Sequence, residues 1–335
     1  MPAEWERHEA TWLAWPHNVR DWPGRFAPIP WVWTEIVRRI AEGEKVRLLV
    51  KDAAHEKQVR ALLVRAEVPL APVEFHRVPT DRVWMRDAGP IFVKDGKQRA
   101  IAHFRFNAWA KYPDHKKDAR VAERAARAVR VPLRDTGGVV LEGGAIDVNG
   151  QGTILVTEEC LLDPLVQVRN PGFSKADYER VFAEHLGCPR TVWLGKGIAG
   201  DDTHGHVDDL ARFTDARTIV LCRERNSADE NYALLEENRE RLESARLQDG
   251  SKPQVAFLPM PQRLVFDGQR LPASYANFYI CNAAVLVPVF DDPHDLEALA
   301  TLRDLFPGKP VIGLHARNLV WGLGTLHCLS QQEPA

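Results

Sequence analysis

Cys328 stands in the segment Gly322-Leu-Gly-Thr-Leu-His-Cys328, led by glycines and with His327 beside it. A thiol in such a place is a candidate nucleophile once a nearby cation or histidine stabilises its thiolate, because a free cysteine ionises only near pH ~8.5. Two further segments set an acid beside glycine at a strand–loop boundary: Asp87 in Trp84-Met-Arg-Asp-Ala-Gly89 and Glu142 in Leu141-Glu-Gly-Gly144. A fourth, Gly200-Asp-Asp-Thr-His-Gly-His-Val-Asp-Asp209, packs four carboxylates and two histidines into one loop. Polarity of this density between apolar strands is costly to bury unless the groups pair or hold something.

The loop supports two chemistries. His204, His206 and Asp208 alternate, so on a strand they share a face and could ligate a metal, as in a metal-dependent amidinohydrolase. A dinuclear site would need a second carboxylate motif, and none is evident. Alternatively His206 is a general acid/base beside a substrate-binding carboxylate, Asp208. Asp201 and Asp209 are then expected in a solvated acidic turn.

Asp87, Glu142, His206, Asp208 and Cys328 together describe several carboxylates around one cysteine and one histidine. Carboxylates raise a thiol pKa, which suits a nucleophile only if the substrate brings positive charge. A guanidinium does so, and its planar fork matches paired carboxylates. Trp84 and Trp109, in or near polar loops, are candidates to flank such a cation with their ring faces. The other tryptophans, six of the ten falling between Trp5 and Trp33, are expected in core or subunit-interface packing, which makes a homodimer plausible. Cys160, Cys188, Cys222 and Cys281 are expected to be small buried apolar residues.

The elements that must position these groups alternate between helix and strand. Helical periodicity covers Val32 to Glu42, Ala53 to Ala66, Asp118 to Val129, Ser174 to Leu186, Ala228 to Leu247 and Pro293 to Phe306. β-branched or aromatic runs at Val46–Val50, Glu74–Val78, Ile91–Val93, Ile154–Val156, Thr218–Cys222, Phe278–Cys281, Val285–Val289 and Pro310–Gly313 predict strands. The class is layered α/β. No Ser/Gly linker divides the chain, so residues 1–335 are read as one domain.

The 44 basic and 46 acidic residues are spread evenly, leaving no electrostatic footprint for nucleic acid or a membrane surface. No apolar run approaches the ~18 residues of a transmembrane helix, and neither GxGxxG nor GxxxxGK[ST] occurs in a nucleotide-binding context. The five cysteines form no CxxC pair and suit a reducing compartment. A cytoplasmic protein is expected.

The motifs, in order, resemble the agmatine deiminase branch of the guanidine-modifying superfamily, which includes the bacterial peptidylarginine deiminase of the Porphyromonas type. The resembling stretches are PAEWERHEATWLAWPHN, VWMRDAGPIFV, LEGGAIDVNGQGTILVTEECLL, GIAGDDTHGHVDDLARF, LPASYANFYICNAAVLVPVFDDP and WGLGTLHCLSQQEP, covering nearly the whole chain. The resemblance implies a pentein fold: a five-bladed α/β propeller of ββαβ units with pseudo-fivefold symmetry and a central active site, using no metal and no organic cofactor. It makes Cys328 the nucleophile and His206 the general acid/base. Asp87 and Asp208 would hold the guanidinium nitrogens, and Glu142 would support His206 and the substrate. The substrate it implies is a small guanidinium compound, agmatine first, with peptidyl-arginine or free arginine as alternatives. Gly322-Leu323-Gly324 departs from the triple glycine of plant-type agmatine deiminases. Ala108 and Ala110 stand where relatives often have glycine, and Ala88 where they often have threonine.

Overall fold

The computed structural model describes residues 1–96 and 98–335. Its strands are short, and they group into small sheets built to one recipe. Ile91–Asp95, Gln98–Arg105 and Leu133–Val140 form one sheet in which the first pair is antiparallel and the second parallel. The same order recurs in Asp147–Val148, Thr153–Thr157 and Arg190–Leu194. It recurs again in Ala211–Phe213, Thr218–Arg223 and Gln254–Pro259, and in Tyr279–Ile280, Val285–Val289 and Val311–His315. In a fifth sheet the C-terminal strand Gln331–Pro334 pairs antiparallel with His8–Ala14. That strand runs parallel to Lys45–Val50, and Val73–Arg77 adds a further parallel partner.

A parallel pair needs a long crossover, and here each crossover is helical. The crossovers include Ile29–Ala41, Ala53–Arg65, Val121–Val129, Lys175–Val181, Glu230–Ser244 and Asp295–Leu305. These are the six helices predicted from periodicity, shifted by a few residues at their ends. Local chemistry sets the starts: Asp52 accepts the His55 amide, and Ser174 with Asp177 forms a reciprocal capping box. The helix expected to run unbroken from Ser174 to Leu186 changes to a π turn over Phe182–Leu186 and stops at Gly187, whose φ is +67°.

Central strands such as Val285–Val289 and Thr153–Thr157 lie between layers and read as continuous apolar runs. Sequence reasoning missed strands with no such run, and also Arg190–Leu194 and Gln254–Pro259, which have short ones. Gln331–Pro334 is polar yet buried, because Glu333 accepts from Arg47 Nε at 2.7 Å, Arg99 Nη1 at 2.9 Å and Trp12 Nε1 at 3.0 Å. Among the described residues no helix is long and apolar enough to cross a membrane.

Candidate active site

Each sheet is entered through a short connector, and each connector carries one or more of the polar groups. Asp87 sits in the helical turn Met85–Ala88, four residues before the strand that begins at Ile91. Glu142 precedes the turn Gly143–Ala145 and the strand Asp147–Val148. His206 and Asp208 flank the start of the turn Val207–Asp209, just before Ala211–Phe213. Asn277 stands two residues before Tyr279, and Cys328 lies in the turn Leu326–Leu329 before Gln331–Pro334. The recurring strand order therefore brings residues far apart in sequence to one place.

Asn277 Nδ2 donates to Cys328 Sγ at 3.1 Å, and Asp208 Oδ2 is 3.7 Å from the same sulfur. His206 Nδ1 lies 3.8 Å from Asp87 Oδ1 and 4.0 Å from Asp208 Oδ1, while its Nε2 lies 3.8 Å from Glu142 Oε2. All five of the predicted groups are buried. Yet His206 Nδ1 and Nε2, Glu142 Oε2 and Asp208 Oδ1 have no hydrogen-bond partner within the protein. Buried polar atoms are almost always paired, so four bare ones converging on one spot mark a place built for something else.

Charge follows from this packing. Burial opposes an imidazolium at His206, but Asp87, Cys160 and Glu142 outweigh it and hold the pKa well above the usual histidine value. Burial raises the carboxyl of Asp87 to about 7 against the pull of His206, with Asp208 and Glu142 adding to the rise. Glu142 goes the other way: burial is overcome by Arg169, whose Nε is 3.2 Å away, and by His206, to leave it at about 2. The Cys328 thiol is driven well up by burial and by Asp208, Asp209 and Asp87, with only the Asn277 hydrogen bond working downward.

Above these groups opens a cavity of about 500 Å³ whose wall includes Trp84, Asp87, Trp109 and Cys328. Trp109 Nε1 donates to Asp87 Oδ2 at 3.0 Å and the Gly144 amide to Asp87 Oδ1 at 3.1 Å, which fixes the carboxylate plane. Trp84 packs against Trp22 with ring centroids 5.8 Å apart, and a Cβ at Gly324 would stand 2.7 Å from the Trp84 ring. Glycine is needed there so that the turn carrying Cys328 can lie against the indole.

The profile of the Porphyromonas-type peptidyl-arginine deiminase family matches residues 1–334. The chain belongs to this family. Agmatine deiminase of Pseudomonas fluorescens is 34% identical to it over 360 residues, spanning all of this chain and 95% of the relative. Among solved structures, agmatine deiminase of Enterococcus faecalis superposes with a TM-score of 0.92 at 29% identity, covering 100% of this chain and 95% of that one. An agmatine deiminase of C. jejuni solved with substrate bound gives 0.89 at 30% identity, with coverage of 100% and 96%. The mixed α/β fold is shared with these proteins.

In this member of the peptidyl-arginine deiminase family two sequence expectations do not hold. Asp209 is no solvated turn residue: it is 3% exposed, accepts from Asn277 Nδ2 at 2.9 Å, and burial with Asp208 alongside raises its pKa well up. Asp201 likewise is tied down, accepting the Gly205 and His206 amides at 2.7 and 2.9 Å. His204 does not share a face with His206 and Asp208. Its φ is +64°, which turns its ring away to Asp163 at 2.9 Å. Two three-donor sets do lie within 4.8 Å of one another among the described residues, Glu142–Cys160–His206 and Asp208–Asp209–Cys328. A metal ion held by either set would occupy the very atoms of His206 or Cys328 that a thiol mechanism needs free.

Sequence reasoning missed four residues of the site. Asn277 gave no signal except its place in the connector that leads into a strand. Arg169, unexposed beside Glu142, lies in an ordinary loop. His327 was seen only as a neighbour of Cys328, and Glu4 only as part of the N-terminal stretch. His327 Nδ1 meets Asp208 Oδ2 at 2.6 Å and its Nε2 meets Glu4 Oε2 at 2.8 Å. Glu4 in turn accepts from Arg86 and Arg212, each at 2.9 Å.

Proposed function

We propose that the protein hydrolyses the guanidinium group of agmatine to N-carbamoylputrescine and ammonia. The observation that carries this reading is the clustering of Cys328, His206, Asp87, Asp208 and Glu142, with four of their buried polar atoms left bare, beside a cavity that Asp87 and Cys328 line. A guanidinium supplies N–H donors for Asp87 and Asp208 and a positive charge that offsets three carboxylates. Trp84 and Trp109 flank it with their rings. Full-length kinship with agmatine deiminases supports agmatine as the substrate.

The residues assign themselves roles in this reading. In the substrate-free site the Cys328 thiol stays protonated. The guanidinium cation, once bound, favours the thiolate, which also accepts from Asn277. Sulfur attacks the guanidinium carbon and His206, held as imidazolium, protonates the departing nitrogen. Ammonia leaves and a covalent thiouronium remains. Water takes the vacated position, neutral His206 accepts its proton, and collapse of the adduct forms the ureido carbonyl and returns the thiolate. Glu142, kept ionised by Arg169, stabilises the imidazolium.

The same reading takes the five sheets of three or four strands, leaving aside the small hairpin Val265–Phe266/Gln269–Arg270, as the five blades of a pentein propeller about a pseudo-fivefold axis, within a single domain spanning 1–335. Five free, buried cysteines suit a reducing cytoplasm, and a homodimer is the assembly it favours. The test is incubation of the chelator-treated protein with agmatine, free arginine and a blocked arginine peptide. Equal amounts of ammonia and ureido product from agmatine alone are expected. Those products from arginine or peptide instead would move the substrate, and none from any of the three would sink the reading.

A further inference from the structure

The cavity wall carries three carboxylates away from the reacting centre, Asp21, Asp114 and Asp202. They differ in what is left for a ligand. Asp202 gives Oδ1 to Lys111 Nζ at 2.6 Å and Oδ2 to the Tyr112 hydroxyl at 2.6 Å. Asp114 gives Oδ1 to Arg82 Nη2 at 3.0 Å and Oδ2 to Arg20 Nη2 at 2.9 Å. Asp21 uses only one oxygen: Oδ1 accepts from Arg82 Nη1 at 2.6 Å, while Oδ2 is buried with no partner. Its side chain is 1% exposed, so bulk water does not satisfy that oxygen.

Asp21 lines the cavity, and its bare carboxylate oxygen, buried behind that lining, is an acceptor without a donor and one that strongly favours a cationic donor. We infer that Asp21 Oδ2 receives the ammonium end of an aminoalkyl guanidine whose other end lies between Asp87 and Asp208. This rests on the deimination reading and adds the residue that selects an amine-ended substrate. The backbone places Asp21 for the task. It closes the one-turn helix Val19–Asp21, capped by Asn18, and is followed by Trp22, whose ring backs Trp84 beside the nucleophile turn. The groups facing Asp21 are Arg82, Asp114 and Arg20. Burial raises its carboxyl to about 6 despite Arg82, so Asp21 is largely ionised at pH 7 and loses that charge as the pH falls.

The experiment compares agmatine with n-butylguanidine, which has the same guanidinium and chain length but no amine. Both substrates report equally on Cys328, His206 and Asp87, so the ratio of their kcat/KM values isolates the amine. In the parent the ratio should favour agmatine by about ten-fold or more, consistent with one charge-assisted hydrogen bond. Asp21→Asn should collapse the ratio toward one, chiefly through the KM for agmatine. In the parent the ratio should also fall as the pH drops through about 6, where Asp21 takes up a proton; this arm needs no variant and holds even if Asp21→Asn fails to fold. A ratio that Asp21→Asn leaves unchanged, or one flat with pH, overturns the assignment while leaving deimination intact. If the parent turns over neither compound, the deimination reading fails and this inference falls with it.

Discussion

Asp208 gives one carboxylate oxygen to His327 Nδ1 at 2.6 Å and leaves the other bare beside His206. The imidazole of His327 spans two carboxylates, Asp208 and Glu4. Asp208 keeps its charge because this contact outweighs its burial, and its pKa is lowered. His327, beside Cys328, is thus a brace for Asp208, and in the proposed mechanism the acid/base work falls to His206.

Removing the far end of that brace should be costly. Glu4→Ala leaves Arg86, Arg212 and His327 without their shared acceptor in a buried setting. Breaking one side of a buried ion network typically costs about 3–5 kcal/mol. The urea midpoint should fall accordingly, and kcat/KM should fall in whatever fraction stays folded. A midpoint within error of the parent's would show that the network contributes nothing to stability.

The thiol should respond to the charge of the reagent more than to its size. Burial and three carboxylates hold Cys328 well above the usual cysteine pKa, so a neutral chloroacetamide should react slowly at pH 7 and faster as the pH rises past 9. The isosteric amidinium reagent brings the cation the site lacks and should label Cys328 at least about ten-fold faster at pH 7. Cys328→Ser should abolish both labelling of the site and turnover. Ser at Cys188, Cys222 or Cys281 should leave turnover, since their thiols point to Leu186 O, Ser274 Oγ and Ala284 O rather than into the group around His206.

Asp87 sets a limb of the pH profile. Its folded pKa of about 7 exceeds the ordinary 3.8, so the protonated form is favoured in the empty site, and native stability is lost as pH rises between those values. A guanidinium needs the ionised form. The kcat/KM for agmatine should therefore climb as pH rises through about 7, and Asp87→Asn should remove this limb and weaken capture. Asp87→Asn kinetics identical to the parent's at every pH would exclude Asp87 from guanidinium binding.

Gly144 packs directly against two groups of the site. A Cβ there would stand 2.5 Å from His206 Nδ1 and 2.8 Å from Asp87 Oδ1, closer than side chains approach. Gly144→Ala should push both groups off position and lower kcat/KM by on the order of 10²-fold. Circular dichroism should remain that of the parent. Full activity would mean that the imidazole and carboxylate have slack the geometry does not suggest.

How much of this was legible in sequence divides along physical lines. Helices such as Ala53–Arg65 and Asp295–Leu305 announce themselves by period, and buried strands such as Val285–Val289 by unbroken apolar runs. Asp147–Val148 and Ala211–Phe213 are too short to show any period, so two sheets were missing their entry strands. The five chemistry residues stand out because a cysteine, a histidine and acids beside glycine are rare outside sites. Asn277, Arg169 and Glu4 do not, since their meaning lies wholly in which buried partner they meet. Asp209 was misplaced for the converse reason: an acid in a run of acids reads as solvated until a neighbouring amide is seen to claim it.

The pairing of Gln331–Pro334 with His8–Ala14 has a consequence for the order of folding. It joins strands separated by some of the longest stretches of intervening chain in the molecule, and a loop that long costs entropy to close before its contacts repay it. The turn that holds Cys328, which leads directly into Gln331–Pro334, should therefore settle late in refolding, after the sheets between the two strands are in place.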